Sequence, residues 1–346
     1  MEKLAARIVH LSDLHICKEE NGRPLQCWGL ENDPLSATLE ATKAIYRDYP
    51  DAHVVITGDL TNTGSRRQLV NAWRALYRIR DSKRLSVVPG NHDDAWTRDI
   101  ALLSENERAQ GGRLGFNRTF KSLFPGKRPK YPYIKNIGEK VAIVGLDSTI
   151  ENRHYKYAAC GEIGLEQLSD LKRLLKRLKK NNKFVVVILH HHPFDHRKDI
   201  LSRSKELMDA EEFLEVVKRP WVDLVLFGHQ HRSYFFGGND DYPMMYGSGQ
   251  TVADLCFRVF SIYSDGTIEV KWHDFSDDGV VDDYDESDEV EEPEFIESEN
   301  DDDEDYEYDD DDDDEYEDDD DDNEYEDDDD EYEDEDEYED DEFDYS

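Results

Sequence analysis

Residues 8–15 read Ile8-Val9-His10-Leu11-Ser12-Asp13-Leu14-His15: an apolar, β-branched run that stops at an Asp and a His two positions apart. The pattern recurs downstream. Val54-Val55-Ile56-Thr57 is followed by Gly58-Asp59, and Val87-Val88 by Pro89-Gly90-Asn91-His92-Asp93. Val185–Leu189 leads into His190-His191-His192-Pro193, and Leu224–Phe227 into Gly228-His229-Gln230-His231. β-Branched runs of this length bounded by Gly and Pro read as strands. In open α/β sheets, ligands gather outside the carboxyl ends of the strands. Residues spread over more than two hundred positions are therefore expected to meet in space.

Working outward, the strand candidates are 7–14, 52–58, 84–88, 140–146, 184–190 and 222–227. They alternate with helical patterns at 34–48, 65–80, 164–180 and 204–218. Asp33-Pro34 supplies an N-cap and a proline at the first helical position. Leu165, Leu168, Leu171, Leu175 and Leu178 recur at spacings of three and four and predict one apolar face. The alternation predicts an α/β layer architecture. Residues 232–275 read as added antiparallel strands forming a second sheet, with Ser264-Asp265-Gly266 as a hairpin turn.

The converging set is Asp13, His15, Asp59, Asn91, His191, His229 and His231, all oxygen and imidazole donors. Such donors suit divalent ions of intermediate hardness, Mn, Fe or Zn. Seven ligands exceed one four-coordinate site. They suit two ions sharing a carboxylate, the clamp used for displacement at phosphorus, with the ions about 3.5–4 Å apart.

The ordered blocks Asp13-Leu-His15, Gly58-Asp59, Gly90-Asn91-His92-Asp93, His191-His192-Pro193 and Gly228-His229-Gln-His231 resemble the calcineurin-like metallophosphoesterase superfamily. The resemblance covers about residues 7–275. It implies a four-layer α/β/β/α sandwich of two mixed sheets around a dinuclear centre. It implies Asp13, His15 and His231 on one metal, Asn91, His191 and His229 on the other, and Asp59 between them. His191 is chosen as the histidine two positions before the proline, which leaves His190 and His192 as supporting residues. His92 resembles the histidine that assists the leaving oxygen, and Asp93 the carboxylate that holds its ring. Leu60-Thr61-Asn62-Thr63-Gly64-Ser65 after Asp59, together with Leu146-Asp147-Ser148-Thr149, looks most like the class III cyclic-nucleotide phosphodiesterase branch. Phe194-Asp195-His196-Arg197 departs from it. A cyclic nucleotide is the leading substrate; another phosphodiester, a phosphomonoester or a nuclease substrate stays open.

Charge divides the 346 residues in two. From Asp277 onward there are 49 acidic residues and no Lys or Arg; 85 less 49 leaves 36 acids against 41 bases in 1–276. The first part is expected to be one metallophosphoesterase domain. The second, 277–346, is expected to be a disordered acidic tail, because self-repulsion and few apolar residues prevent packing. A tail of that charge suits a basic protein partner, and it disfavours nucleic acid by competing for any basic patch. An interaction protein built around the tail is the alternative to an enzyme. Lys172, Arg173, Lys176, Arg177, Lys179 and Lys180 read as the solvated face of a helix. No run of 18 apolar residues suggests a membrane span. The start lacks a signal-peptide pattern. Four scattered cysteines suggest neither disulfides nor a structural zinc site. Together these lead to the expectation of a cytoplasmic protein.

Overall fold

The computed structural model describes residues 3–17, 32–94, 111–126, 129–149, 159–193 and 207–276. The acidic tail and residues 194–197 lie outside them. The chain divides between Glu294 and Phe295, with all described residues in the first part.

Two mixed sheets form the centre. The first runs β11 (Ile268–Asp274), β10 (Cys256–Tyr263), β1 (Leu4–Leu11), β2 (His53–Ile56), β3 (Leu85–Val87). Strands β1, β2 and β3 are parallel, and β10 runs antiparallel to β1 and β11. The second runs β4 (Tyr133–Ile137), β5 (Val141–Gly145), β6 (Phe184–Ile188), β7 (Leu224–Phe227), β9 (Met244–Gly247), β8 (Tyr234–Phe236). Strands β5, β6, β7 and β9 are parallel; β4 and β8 close the two edges antiparallel.

Alternation along the strands of the second sheet separates two cores. Val141, Ile143, Val186, Ile188, Leu224 and Leu226 pack into the cluster that holds Ile8, Val54 and Phe260 of the first sheet. Their neighbours Ala142, Val144, Val185, Val187 and Val225 face the other way. They pack against helices α4 (Leu165–Lys180) and α5 (Ala210–Val217). Side chains of period two put successive residues on opposite faces, so the sheet is buried on both. Helices α1 (Pro34–Asp48) and α2 (Arg66–Ala75) contribute Ala41, Ile45, Leu69 and Ala72 to the first core. The layers are therefore helix, sheet, sheet, helix. Helices α3 (Gly112–Thr119) and α6 (Thr251–Asp254) complete the described set.

Helix α1 begins where the sequence indicates. The Asp33 carboxylate accepts from Ser36 N at 2.9 Å, and Pro34 occupies the first turn. Helix α4 buries Leu168, Leu171, Leu174, Leu175 and Leu178, each burial contributing about 1.5–3 kcal/mol. Leu165, expected on that face, is the first residue of the helix and is 81% exposed.

Three further expectations change. The strands after residue 232 do not form a sheet of their own; β8 and β9 extend the second sheet and β10 and β11 the first. Strand β4 lies in a stretch read as no element, its burial only partial because it is an edge strand. Cys17 is disulfide-bonded, whereas Cys160 and Cys256 form no disulfide. The expectation that the cysteines form no disulfide therefore falls, and with it the support that they gave to a cytoplasmic protein. No helix among the described residues is long and apolar enough to cross a membrane.

Candidate metal centre

The parallel strands β1, β2, β3, β6 and β7 all end at one edge of the sandwich, and the site is built from the turns that follow them. Successive turns are stitched together by backbone bonds. Asp13 N donates to Gly58 O (3.1 Å), His15 N to Asp59 O (2.9 Å) and Gly228 N to His190 O (3.0 Å). Seven non-glycine residues have positive φ among the described residues. Five of them are Asp13 (54°), His15 (43°), Asp59 (51°), His229 (78°) and His231 (54°). Left-handed backbone is costly for side chains other than Gly, and such strain clusters at functional sites. Here it falls on five of the seven expected ligands.

Two groups of donors result. Asp13, His15, Asp59 and His231 each place one ligand atom within 4.8 Å of the others, and so do His190, His191 and His229. In the first group, His15 Nε2 and His231 Nε2 are 2.9 Å apart, and His231 Nε2 is 3.4 Å from Asp13 Oδ1. In the second, His190 Nε2 lies 3.1 Å from Asn91 Oδ1 and 3.1 Å from His229 Nδ1. Asp59 Oδ2 stands between the groups, 3.7 Å from His15 Nε2 and 3.3 Å from His190 Nε2. Asp59 Oδ1 accepts from His92 N at 2.9 Å.

The second group takes in His190 as well as the expected His191. His190, taken as a supporting residue, puts its Nε2 where Asp59, Asn91 and His229 meet. Its Nδ1 donates to the Thr57 carbonyl at 2.7 Å, which turns Nε2 toward that point. His191 joins the group from one side, its Nδ1 2.8 Å from Ser148 Oγ. His192 receives Gln230 Nε2 at 2.8 Å and stacks on the His229 ring. Strand β6 ends at Ile188 and the chain bends at His190, so His190 joins the expected His191 in the donor group. Strand alternation cannot be extended to residues 190–192.

Asp93 is corrected as well. Its buried carboxylate accepts from Leu60 N (3.1 Å), Gly90 N (3.1 Å), Thr61 N (2.9 Å) and Thr61 Oγ1 (2.8 Å). It ties the turn after β2 to the turn after β3. The His92 ring is held instead by the carbonyl of Asn62, 2.8 Å from Nδ1. That contact has no side-chain signature in sequence, since any residue offers a carbonyl. His92 is half-buried, with its ring edge-on to His15 at 4.7 Å between centroids.

Two glycines are required by close approach. A Cβ at Gly58, whose φ is +93°, would lie 2.5 Å from His190 Nδ1. One at Gly90 would lie 2.2 Å from Asp59 Oδ1.

The electrostatics of this set favour a cation. Burial alone would raise the pKa values of Asp13 and Asp59. The surrounding histidines, His231 for Asp13 and His190 for Asp59, outweigh it and hold both below the usual carboxylate range. Burial, with His92 beside it, lowers His15 to about 3, and burial with its histidine neighbours lowers His229 well below the usual value. Burial also opposes charging of His190, yet Asp59 draws its pKa up to about 9. Two buried carboxylates held low, with burial disfavouring charge on His15 and His229 and Asp59 drawing His190 toward its charged form, are a donor set short of positive charge. Oxygen and imidazole donors of this kind fit divalent ions of intermediate hardness.

Comparison with known proteins gives the same assignment. Residues 6–233 match the family described as calcineurin-like phosphoesterase. The chain belongs to the calcineurin-like phosphoesterase family. It is a metal-dependent phosphoester hydrolase. A 3′,5′-cyclic-nucleotide phosphodiesterase of Nostoc sp. (strain PCC 7120) is 25% identical over 288 residues, 78% of this chain and 92% of the relative. A protein of Coxiella burnetii named "Probable cyclic nucleotide phosphodiesterase" is 25% identical over 284 residues, 79% of this chain and 92% of the relative. Among solved structures, a dimetal phosphatase from Danio rerio superposes with a TM-score of 0.54 at 16% identity. That match covers 79% of this chain and 97% of that one, a likeness of fold.

Proposed function

We propose that this calcineurin-like phosphoesterase hydrolyses a phosphodiester, with a cyclic nucleotide as the leading substrate, on two divalent ions. The observation that carries the dinuclear part is Asp59 Oδ2, buried between His15 and His190 and facing both donor groups. Asp13, His15 and His231 would hold one ion; Asn91, His190 and His229 would hold the other, with His191 beside them. Asp59 would serve both. The names of the relatives from Nostoc and Coxiella support the diester and the cyclic nucleotide.

Ions held in this way supply a nucleophile by acidifying water and neutralise the oxygens of the ester. The rest falls to the chain. Thr57 O fixes the orientation of His190 through Nδ1, the partnering that sets tautomer and ring angle in ligating histidines. Asn62 O does the same for His92. With Nδ1 engaged, Nε2 of His92 is the nitrogen that would pass a proton to the leaving oxygen, a general-acid role. Asp93 holds the turns that carry Asp59 and Asn91 at fixed separation.

The test is Mn²⁺-supplemented hydrolysis of bis-p-nitrophenyl phosphate, p-nitrophenyl phosphate and cyclic AMP, with Asn91→Ala and Asp59→Ala as controls. Turnover of the diesters that both variants abolish is the expected result. Diester turnover that survives Asp59→Ala would overturn the mechanism, and cleavage of the monoester alone would overturn the substrate class.

A further inference from the structure

Leu146-Asp147-Ser148-Thr149 follows β5 and supplies none of the seven expected ligands. Strands β5 and β6 run parallel, and their ladder closes with Gly145 opposite Ile188 and Leu146 N donating to Ile188 O at 2.9 Å. Beyond Ile188 the bend at His190 takes the chain out of the strand, and a side chain takes over from the ladder. His191 N donates to Ser148 Oγ at 3.2 Å, and His191 Nδ1 lies 2.8 Å from the same oxygen. A serine hydroxyl has two acceptor lone pairs, so one atom can take both the main-chain and the ring N–H. Ser148 is fully buried, which keeps bulk water from competing for that oxygen. Gly161 packs against the same ring so closely that a Cβ there would lie 2.4 Å from His191 Cγ. With Nδ1–H on Ser148, Nε2 is the nitrogen left to meet an ion. A proton on Nε2 would remove the donor.

Ser148 is held in its turn. Glu162 N donates to its carbonyl at 3.0 Å. Gln167 of α4 bonds Asp147 twice: Oε1 accepts from Asp147 N at 2.9 Å, and Nε2 donates to Asp147 O at 2.8 Å. Asp147 Oδ1 accepts from Thr149 N (3.0 Å) and Thr149 Oγ1 (2.8 Å), which closes a turn around Ser148. Arg113 of α3 spans that turn, pairing with the Asp147 carboxylate and donating to Thr149 Oγ1. A guanidinium is a rigid planar fork of donors, so bridging two acceptors fixes their separation. Helix α3 starts on the loop that carries Asp59, since Gly112 N donates to Gly64 O at 2.7 Å. Bonds therefore run without a break from the loop after β2, through Arg113 and Asp147, to Ser148 and His191.

We propose that Ser148 is a positioning residue, which fixes the tautomer and ring angle of His191 as a donor to one of the two ions, and that Arg113 keeps Ser148 in place through Asp147 and Thr149. This role rests on the two-ion reading proposed above. Partners of this kind set the orientation of ligating imidazoles, and losing one costs about 10–100-fold in metal affinity.

Two measurements on the full chain test it. The first is heteronuclear NMR of the histidine ring nitrogens in the metal-free protein at about pH 8, where an ordinary imidazole is neutral. The His191 signals are those lost in His191→Gln. The wild type is expected to carry its proton on Nδ1, and Ser148→Ala to shift it wholly or partly to Nε2. The second is Mn²⁺ binding by isothermal titration calorimetry. Ser148→Ala is expected to weaken one site about 10–100-fold and to leave the other within about twofold of wild type. Arg113→Gln is expected to weaken the same site by less. A wild-type His191 with its proton on Nε2 would overturn the proposal, and that result needs no variant to fold. Ser148→Ala with both sites unchanged, or both weakened alike, would overturn it and leave the two-ion reading intact. Wild-type affinity at both sites in Arg113→Gln would overturn the part given to Arg113. A wild type that binds fewer than about two ions per chain would overturn the two-ion reading itself, and this role with it.

Discussion

Asp93→Asn separates two roles for a buried carboxylate next to a working histidine. If Asp93 holds the His92 ring, the amide costs activity and little else. The contacts say otherwise: the carboxylate takes four hydrogen bonds from Leu60, Thr61 and Gly90 and is 0% exposed. An amide keeps one acceptor oxygen, which Thr61 N and Thr61 Oγ1 use. Its NH₂ then faces the N–H groups of Leu60 and Gly90, donor against donor. Hydrogen bonds to a charged acceptor contribute about 1.5–3 kcal/mol each. Two such losses are partly offset because the neutral amide is cheaper to bury than a carboxylate, leaving a net cost of about 3 kcal/mol. For a domain of this size each kcal/mol lowers Tm by about 2–4 °C, so a fall of about 6–12 °C is expected. Burial and the neighbouring Asp59 raise the Asp93 pKa to about 7, so the assay is thermal unfolding of the full chain at about pH 9, where the carboxylate is charged, with excess EDTA so that metal affinity does not enter. A variant melting within about 1 °C of wild type while kcat falls would refute the role assigned to Asp93.

Gly58→Ala places a methyl 2.5 Å from His190 Nδ1 at a φ of +93°; diester turnover is expected to fall below detection and Tm to drop, and wild-type kcat would contradict the close packing. His53 is buried between Lys83 O and Ser86 Oγ, and burial lowers its pKa to about 3. The unfolded chain takes up that proton near pH 6.5 and the folded chain does not. This contribution is therefore fully present above pH 6.5 and lost as pH falls toward 3, with a slope of up to about 1.4 kcal/mol per pH unit. Urea unfolding between pH 4.5 and 7 should show a flatter dependence for His53→Asn, and parallel curves would count against it. Chelation with EDTA is expected to lower Tm in proportion to the logarithm of the Mn²⁺ removed, as for any ligand that binds the folded state alone. A Tm indifferent to both would mean that the donor groups bind no ion.

Much of this molecule could be read in advance because its chemistry sits at strand ends. A strand that stops at Asp13, Asp59 or Asn91 leaves a polar residue next to an apolar run, and that contrast is visible without coordinates. Helix α1 was legible for a similar reason, since Asp33 and Pro34 mark its start chemically. What escaped depends on where regular structure stops. One bend after Ile188 brings His190 to Asp59 beside the expected His191, and a bend of that kind leaves no mark in three consecutive histidines. The support of His92 comes from a backbone carbonyl, which residue types do not encode. Asp93 looked like a ring partner because it follows His92, although its carboxylate reaches back to residues 60, 61 and 90. Strand β4 was missed because an edge strand is only partly buried and its sequence, Tyr133-Ile-Lys-Asn-Ile137, carries a weak pattern. Leu165 matched the apolar period of α4, but only the fold shows that this first residue of the helix stays exposed.

The central claim is that Asp59 is shared by two ions. The measurement that tests it most directly is metal content per chain, by inductively coupled plasma mass spectrometry after Mn²⁺ loading and dialysis of the full-length protein. The account predicts about two ions per chain in the wild type, with loss from one site in His190→Ala and from both in Asp59→Ala. A wild type that retains about one ion, unchanged by His190→Ala, would contradict it.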